Sequence, residues 1–135
     1  MTKNIVSQIL SALSCLHSHG IAHRDIKFEN IMLESFNSAD GNENIRIKLT
    51  DFGFASFFKS DEVTFMYSLG TKGYQAPEIY KKGFTHNEKV DIWATAILTY
   101  CLLGKKTPFK KNGKQSVEAI LRSEPDYSIL SGFSD

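Results

Sequence analysis

The segment from Asp91 to Leu103 constrains the fold more than any other part of the sequence, because it is apolar on nearly every side. A helix of this kind has no polar face to turn toward water, so other elements must cover it. We therefore predict a helix buried in the middle of a domain and ended by Gly104. The run is shorter than the roughly 20 residues that a helix needs to span a bilayer.

A second helix is predicted at the start of the chain, and Gly20 marks its end. Serine and glutamine residues interrupt its apolar run at helical intervals, as on an amphipathic surface helix rather than in a signal peptide. The apolar positions recur at three- and four-residue steps, so they are predicted to form one buried face. They are Ile5, Val6, Ile9, Leu10, Leu13 and Leu16.

A small β-hairpin is predicted after the polar loop 23–30. The run 31–33 is apolar, and apolar and polar side chains alternate over 45–50, which is the period of a half-buried strand. Residues 35–44 contain an Asp-Gly pair and are predicted to be the connecting loop. Residues 51–80 have no regular period and are predicted to be a long loop, which in a compact domain is usually functional or disordered.

The composition is that of an ordinary globular domain. The chain has 135 residues, of which 41% are hydrophobic, and a net charge of +1, so nothing favours nucleic acid or a membrane as a partner. Cys15 and Cys101 are predicted to be buried free thiols, which indicates a reducing, cytoplasmic location. After Gly104, a lysine-rich segment is predicted to be a solvated loop, and a short helix is predicted over about 115–122.

Four motifs follow one another along the chain. Residues 23–30 read HRDIKFEN, 51–53 read DFG, 70–78 read GTKGYQAPE and 91–93 read DIW. They resemble the H-R-D-x-K-x-x-N, D-F-G, G-T-x-x-Y-x-A-P-E and D-x-W motifs of protein kinases. A single D-F-G occurs by chance in many proteins, but four motifs in this order, with the expected elements between them, do not. The resemblance covers essentially the whole chain.

The resemblance implies transfer of a phosphoryl group from ATP with Mg²⁺ as a cofactor, a reaction that depends on in-line positioning and neutralised charge. Asp25 would accept or orient the proton of the attacking hydroxyl, and Lys27 would contact the transferring phosphoryl group of the nucleotide. Asn30 and Asp51 would hold Mg²⁺ through oxygen ligands. Met32 would contribute to the floor of the adenine site.

Other motif residues would have structural roles. By the resemblance, His23 packs near Phe52 instead of acting as an acid or base. In relatives, the glutamate that matches Glu78 pairs with an arginine of later helices. The full structural set is His23, Phe52, Gly53, Glu78, Asp91 and Trp93.

Residues between Gly53 and Ala76 resemble the activation loop of the family. Arg24 would bind a phosphate on this loop, since a phosphoryl group can order a loop by pairing with arginine. Thr71 would position the substrate. The candidate phosphorylated residues are Thr64, Tyr67 and Ser68.

The substrate class follows from Lys27 and Thr71, which resemble the serine/threonine branch. The arrangement of helices and loops resembles that of the calcium/calmodulin-dependent and related kinases. The expected partners are therefore protein substrates with serine or threonine acceptors, and the oligomeric state is left open. Two other functions compete with this one: a non-catalytic interaction module, and a small-molecule kinase of similar fold. The motif at 70–78 argues against the second. Phe28 in place of proline and Ala96 in place of glycine affect no expected metal or phosphate ligand.

The expected fold class is α+β, mainly α: the C-terminal lobe of the protein kinase fold with a small β-hairpin. No glycine-rich loop and no V-A-I-K lysine precede the first predicted helix. We therefore expect residues 1–135 to be part of a kinase domain whose N-terminal lobe is absent. Catalysis is expected of a full-length parent, and residues 1–135 alone are expected to be inactive and poorly stable.

Overall fold

A computed structural model describes residues 1–39, 42–58, 69–81, 86–111, 114–122, 125–128 and 132. This part of the chain is helix-rich with small antiparallel two-stranded sheets, which confirms the predicted α+β, mainly α composition. The helices are α1 (Thr2–Ser18), α2 (Lys89–Gly104) and α3 (Val117–Arg122), with 3₁₀ helices at Phe28–Asn30 and Pro77–Tyr80. The paired strands are β1 (Ile21–Ala22) with β4 (Ser56–Phe57), β2 (Ile31–Ala39) with β3 (Asn42–Leu49), and β5 (Lys110–Lys111) with β6 (Lys114–Gln115).

Helix α1 forms where the apolar period predicts it. Ile9 and Leu13 lie four residues apart, so they share one face, and both are buried against α2. Leu10 was predicted to join that face but is 43% exposed, because it lines an open apolar groove with Ile92 and Leu103 of the central helix. The chain leaves the helix through Gly20, whose φ of +70° is costly for a residue with a Cβ atom.

Helix α2 is the central helix, as predicted. Leu98 and Ala94 pack on α1 and Ile26, while Ile97 packs on Phe109 on another side. Burying a large aliphatic side chain such as Leu98 stabilises the fold by about 1.5–3 kcal/mol, so this helix ties the two clusters together. None of the described helices is long and apolar enough to cross a membrane.

Two details of α2 differ from the prediction. Ile92 is 46% exposed, because described elements pack on two sides of α2 and leave a third side as an open apolar groove with Val6 and Leu103. The left-handed residue that ends the helix is Lys105, with a φ of +51°, rather than Gly104. Its N–H donates to the carbonyl oxygen of Cys101 at 2.8 Å, which satisfies one of the last helical carbonyls.

The β2–β3 hairpin confirms the predicted pairing, with Ile31 opposite Leu49 and Leu33 opposite Ile47. Its strands extend through most of the predicted loop 35–44, because backbone ladder bonds continue where the apolar alternation stops. The Asp-Gly pair at 40–41 lies outside the described residues.

Three further predictions need correction. The segment 51–80 contains strand β4 and the 3₁₀ helix Pro77–Tyr80, and part of the lysine-rich loop forms β5 and β6. Strands β4, β5 and β6 are too short to show an alternation of apolar and polar side chains in the sequence. Helix α3 confirms the short helix, although it begins at Val117. Cys15 is exposed, and Cys101 is half-buried at the edge of the cluster of Ile97, Phe109 and Ile120.

Candidate active site

A buried carboxylate anchors the start of the loop 23–30. Asp91 is fully buried, and it accepts backbone N–H bonds from His23 at 2.9 Å and Arg24 at 2.7 Å. Its Oδ2 atom also lies 2.8 Å from Nε2 of His17. A buried carboxylate is costly unless several donors satisfy it, and here three do so. They hold Arg24 at a φ of +69°, an uncommon conformation for a residue other than glycine.

Asp25 lies at the centre of the site and is 3% exposed. Its Oδ1 atom accepts hydrogen bonds from the Thr71 backbone N–H at 2.9 Å and the Thr71 hydroxyl at 2.7 Å. Its Oδ2 atom accepts from Lys27 Nζ at 2.7 Å and from Asn30 Nδ2 at 3.1 Å. The four contacts fix the carboxylate between the loop 23–30 and the segment that begins at Gly70.

The charges of the site keep Asp25 ionised. Burial by itself raises the pKa of Asp25, but hydrogen bonds from Lys27 and Thr71 outweigh it and hold the pKa below its ordinary value. The same hydrogen bond raises the pKa of Lys27, and the charges of Glu29 and Asp51 act in the same direction. Asp25 and Lys27 therefore form an ion pair at neutral pH.

Asn30 and Asp51 lie at the open end of the β2–β3 hairpin. Asn30 immediately precedes β2, and its carbonyl oxygen accepts the Thr50 N–H at 2.9 Å, which brings the residue after Thr50 to the site. The Asn30 amide nitrogen donates to the Asp25 carbonyl oxygen at 2.9 Å and to its carboxylate, so its amide oxygen is turned away from Asp25. Asp51 is exposed and has a φ of +60°.

These two residues fit a magnesium ion. No group of three His, Cys, Asp or Glu residues within the described ranges could hold a metal by itself. Magnesium, however, usually takes one or two protein carboxylates and completes its shell with water and substrate phosphates. The Asp51 carboxylate and the Asn30 amide oxygen are hard oxygen donors of that kind. Strained backbone such as that of Asp51 is often found at functional sites.

The residues around Asp51 hold it in place. The His23 ring lies 4.9 Å from the Phe52 ring, centroid to centroid, and His23 Nε2 contacts the Thr50 carbonyl oxygen at 3.1 Å. The Gly53 N–H donates to Asp51 Oδ1 at 3.2 Å. A Cβ atom on Gly53 would lie 3.1 Å from that same oxygen, so a larger residue would push on the carboxylate.

The remaining predicted residues are Met32, Trp93 and Glu78. Met32 is 58% exposed on β2. Trp93 stacks on Phe109, with ring centroids 5.5 Å apart and planes 9° from parallel. Glu78 is half-buried in the second 3₁₀ helix.

Among the residues of the predicted phosphate switch, Arg24 lies in the part of the chain that the structure describes. Burial lowers the pKa of Arg24, while the charge of Asp91 raises it, and Arg24 is half-buried beside the site. The candidate acceptors Thr64, Tyr67 and Ser68 lie outside the described residues, so the switch stays a prediction.

Two contacting residues were missed at the sequence level. His17, which belongs to none of the four motifs, contacts Asp91 Oδ2 through Nε2 at 2.8 Å. Gln75, which occupies a variable position of the motif 70–78, is 7% exposed and bonds to two backbone carbonyls. The sequence signals that could have drawn attention to them are a polar residue inside the motif 70–78 and a histidine near the end of the helix that precedes the loop 23–30.

Comparisons with known proteins agree with this geometry. A family model described as "Protein kinase domain" matches residues 1–131. The chain is 41% identical over 129 residues to Calcium-dependent protein kinase 6 of Plasmodium berghei (strain Anka), covering 95% of this chain and 8% of that protein. It is 36% identical over 139 aligned residues to Serine/threonine-protein kinase 33 of Bos taurus, covering 99% of this chain and 28% of that protein.

A third relative and a solved structure extend the comparison. Calcium/calmodulin-dependent protein kinase cmkB of Emericella nidulans is 39% identical over 119 residues, covering 87% of this chain and 28% of that protein. The crystal structure of the Rad53 kinase domain and SCD2 has a TM-score of 0.72 and 29% identity, covering 99% of this chain and 43% of that chain. This chain thus spans less than a third of each of these curated relatives. The match over residues 1–131, in agreement with the predicted resemblance, shows that the chain belongs to the protein kinase domain family.

Proposed function

We propose that the protein transfers the γ-phosphoryl group of ATP to serine and threonine hydroxyls of protein substrates. The observation that carries this proposal is the Asp25 carboxylate, ionised and held by Lys27, Asn30 and Thr71. The relatives named as serine/threonine kinases support the same reaction. A module without catalytic function would not need an ion pair of this geometry.

Asp25 acts on the acceptor hydroxyl. A general base must lie within hydrogen-bond reach of the proton that it accepts, and its pKa must leave it ionised. Asp25 meets the second condition because Thr71 and Lys27 stabilise its charged form. Thr71 keeps the carboxylate in one orientation through two bonds to Oδ1, so Oδ2 is the atom directed to Lys27 and the acceptor.

Lys27 places a positive charge next to the acceptor. Its Nζ atom donates to Asp25 at 2.7 Å and to the Thr71 hydroxyl oxygen at 3.0 Å, so the ammonium group has a defined position. Charge that develops on a transferring phosphoryl group is stabilised most by a charge that is already in place. We assign this role to Lys27, and the role of positioning the substrate to Thr71.

Asp51 and Asn30 are proposed to bind magnesium with the nucleotide. Bound magnesium would neutralise charge on the phosphates of ATP. Asp51→Ala removes a carboxylate oxygen ligand, and we expect it to weaken magnesium-dependent ATP binding at least tenfold and to lower kcat as well. Isothermal titration of ATP with and without magnesium, in the full-length protein, measures this effect. ATP affinity equal to that of the wild-type protein would contradict the assignment.

We also propose that residues 1–135 form the C-terminal lobe of the kinase domain, with a second lobe packed over the exposed apolar side chains beside Asp51. Met32, Leu33 and Phe52 are 58%, 57% and 47% exposed, respectively. Met32 and Leu33 are consecutive on β2 and so point to opposite faces of the hairpin, and large apolar side chains left exposed are typical of an interaction surface.

The rate of labelling of peptides with different acceptor residues tests the proposed function as a whole. Peptides that differ only in a serine, threonine or tyrosine acceptor are incubated with radiolabelled ATP, magnesium and the full-length protein. We expect labelling of serine and threonine peptides at least about a hundredfold faster than of the tyrosine peptide, because Lys27 and Thr71 resemble the serine/threonine branch of the family. Labelling no faster than with an Asp25→Asn variant would contradict the function, and labelling by residues 1–135 alone would contradict the need for a second lobe.

A further inference from the structure

We infer that Gln75 is a positioning residue, which holds the segment before Thr71 so that Thr71 meets the Asp25 carboxylate. The inference rests on the proposed function, since it concerns the geometry of the same base. Gln75 touches neither Asp25 nor Lys27 in any described contact, so its effect must pass through the backbone of residues 69–71.

The contacts of Gln75 require its amide group. Its Nε2 atom donates to the Leu69 carbonyl oxygen at 3.1 Å and to the Gly70 carbonyl oxygen at 3.3 Å. Both partners are pure acceptors, so the amide must present its nitrogen, which carries two N–H donors. Gln75 is 7% exposed, which means that water cannot easily replace these bonds. Two consecutive carbonyls are thus held by one side chain.

The segment that Gln75 holds has little freedom on its other side. Gly70 has a φ of +99°, and a Cβ atom at this position would lie 2.7 Å from the Arg24 carbonyl oxygen. Gly70 therefore lies directly against the backbone of the loop 23–30. A turn closed by the Tyr74 N–H and the Thr71 carbonyl oxygen, at 3.1 Å, brings Gln75 back beside Leu69. The turn and the Gln75 side chain together hold the backbone on both sides of Thr71, and we call this arrangement of residues 69–75 the clip.

Thr71 is the residue through which the clip acts. It donates twice to Asp25 Oδ1 and accepts from Lys27, so a small shift of its backbone changes all three bonds. Side chains that act through a misplacement of the reacting group lower the rate of the chemical step and leave nucleotide binding unchanged. This separates positioning by Gln75 from a general contribution to folding.

The test is Gln75→Met, which keeps the length and volume of the side chain and removes both donors. In the full-length protein we expect kcat to fall roughly fivefold to thirtyfold, which corresponds to the loss of two ordinary hydrogen bonds, while KM for ATP changes less than about twofold. Gln75→Glu has the same shape but turns a carboxylate toward two carbonyls, so its kcat should fall at least as far. If Gln75→Met does not fold, the kcat of Gln75→Glu tests the inference in its place.

Gln8 provides a matched control. Its side chain also bonds to two backbone groups. Gln8 Nε2 donates to the Ile45 carbonyl oxygen at 2.8 Å, and Gln8 Oε1 accepts from the Ile47 N–H at 3.1 Å. Both contacts lie at the hairpin and away from Asp25. Gln8→Met should lower the unfolding midpoint and leave kcat within about twofold of wild type. An equal loss of kcat in the Gln8 and Gln75 variants would overturn the inference, as would a Gln75→Met protein with wild-type kcat.

Two further measurements separate this inference from the proposed function. In a Thr71→Ala background, Gln75→Met should lower kcat by a smaller factor than it does alone, because the hydroxyl bond to Asp25 is already lost and only the backbone N–H bond of residue 71 remains to be disturbed. Additive losses would overturn the inference. If the wild-type protein is no more active than Asp25→Asn, the proposed function fails, but hydrogen exchange of the Thr71 amide still tests the clip. Faster exchange in Gln75→Met supports it, and unchanged exchange overturns it.

Discussion

Asp25→Asn should lower kcat for phosphorylation of a serine peptide by about a hundredfold to ten-thousandfold, which is the usual contribution of a general base. The amide that replaces the carboxylate is nearly the same size, so it can still accept the Thr71 bonds to Oδ1. It cannot accept a proton, and it no longer pairs with the charge of Lys27. Because the effect concerns the acceptor hydroxyl and not the nucleotide, the Kd for ATP should stay close to the wild-type value.

Steady-state kinetics and ATP titration on the same variant measure the two halves of this prediction. Glu34→Gln is the matched control, because it makes the same acid-to-amide change on the hairpin, where Glu34 pairs with Lys48 at 2.5 Å. This variant should keep kcat within about twofold of wild type, since exposed ion pairs contribute little. The role of Asp25 would be wrong if Asp25→Asn retained a tenth of the wild-type kcat, or if ATP affinity fell together with kcat.

The largest effect on stability is expected for Asp91→Ala. The substitution leaves the buried N–H group of His23 and the part-buried N–H group of Arg24 without the carboxylate that now accepts them at 2.9 and 2.7 Å. Each buried donor left unsatisfied costs about 1–3 kcal/mol, so together they remove about 2–6 kcal/mol from the free energy of unfolding. Typical domains have about 5–15 kcal/mol in total. We therefore expect partial or complete unfolding, and loss of activity even where the fold persists.

Urea denaturation of the full-length protein measures this change, provided that the slope of the transition stays constant. His17→Ala serves as a graded comparison, because it removes one contact to Asp91 and leaves the two backbone donors paired. It should be distinctly less destabilising than Asp91→Ala. If the two variants had the same stability, or if Asp91→Ala unfolded at the wild-type urea midpoint, the Asp91 carboxylate would not be the anchor of the loop 23–30.

Local patterns in the sequence were sufficient to predict the helix and the strands that lie around the site. The three- and four-residue apolar period predicted α1, and the alternation over 45–50 predicted the strand that pairs with residues 31–33. The motifs predicted the protein kinase family, which the match over residues 1–131 confirms. These predictions succeed because helical and strand periods, glycine ends and short motifs are properties of neighbouring residues.

The long-range partners of the buried polar groups were decided by the tertiary structure alone. The His23 N–H finds its acceptor 68 residues away at Asp91, and Thr71 finds Asp25 across 46 residues. Ile92 belongs to a run that is apolar all round and is nevertheless 46% exposed, because its burial depends on which elements pack there. A sequence shows which groups must be buried or bonded, since that follows from their chemistry. Which group meets which depends on how the chain folds back on itself, and no local pattern records that.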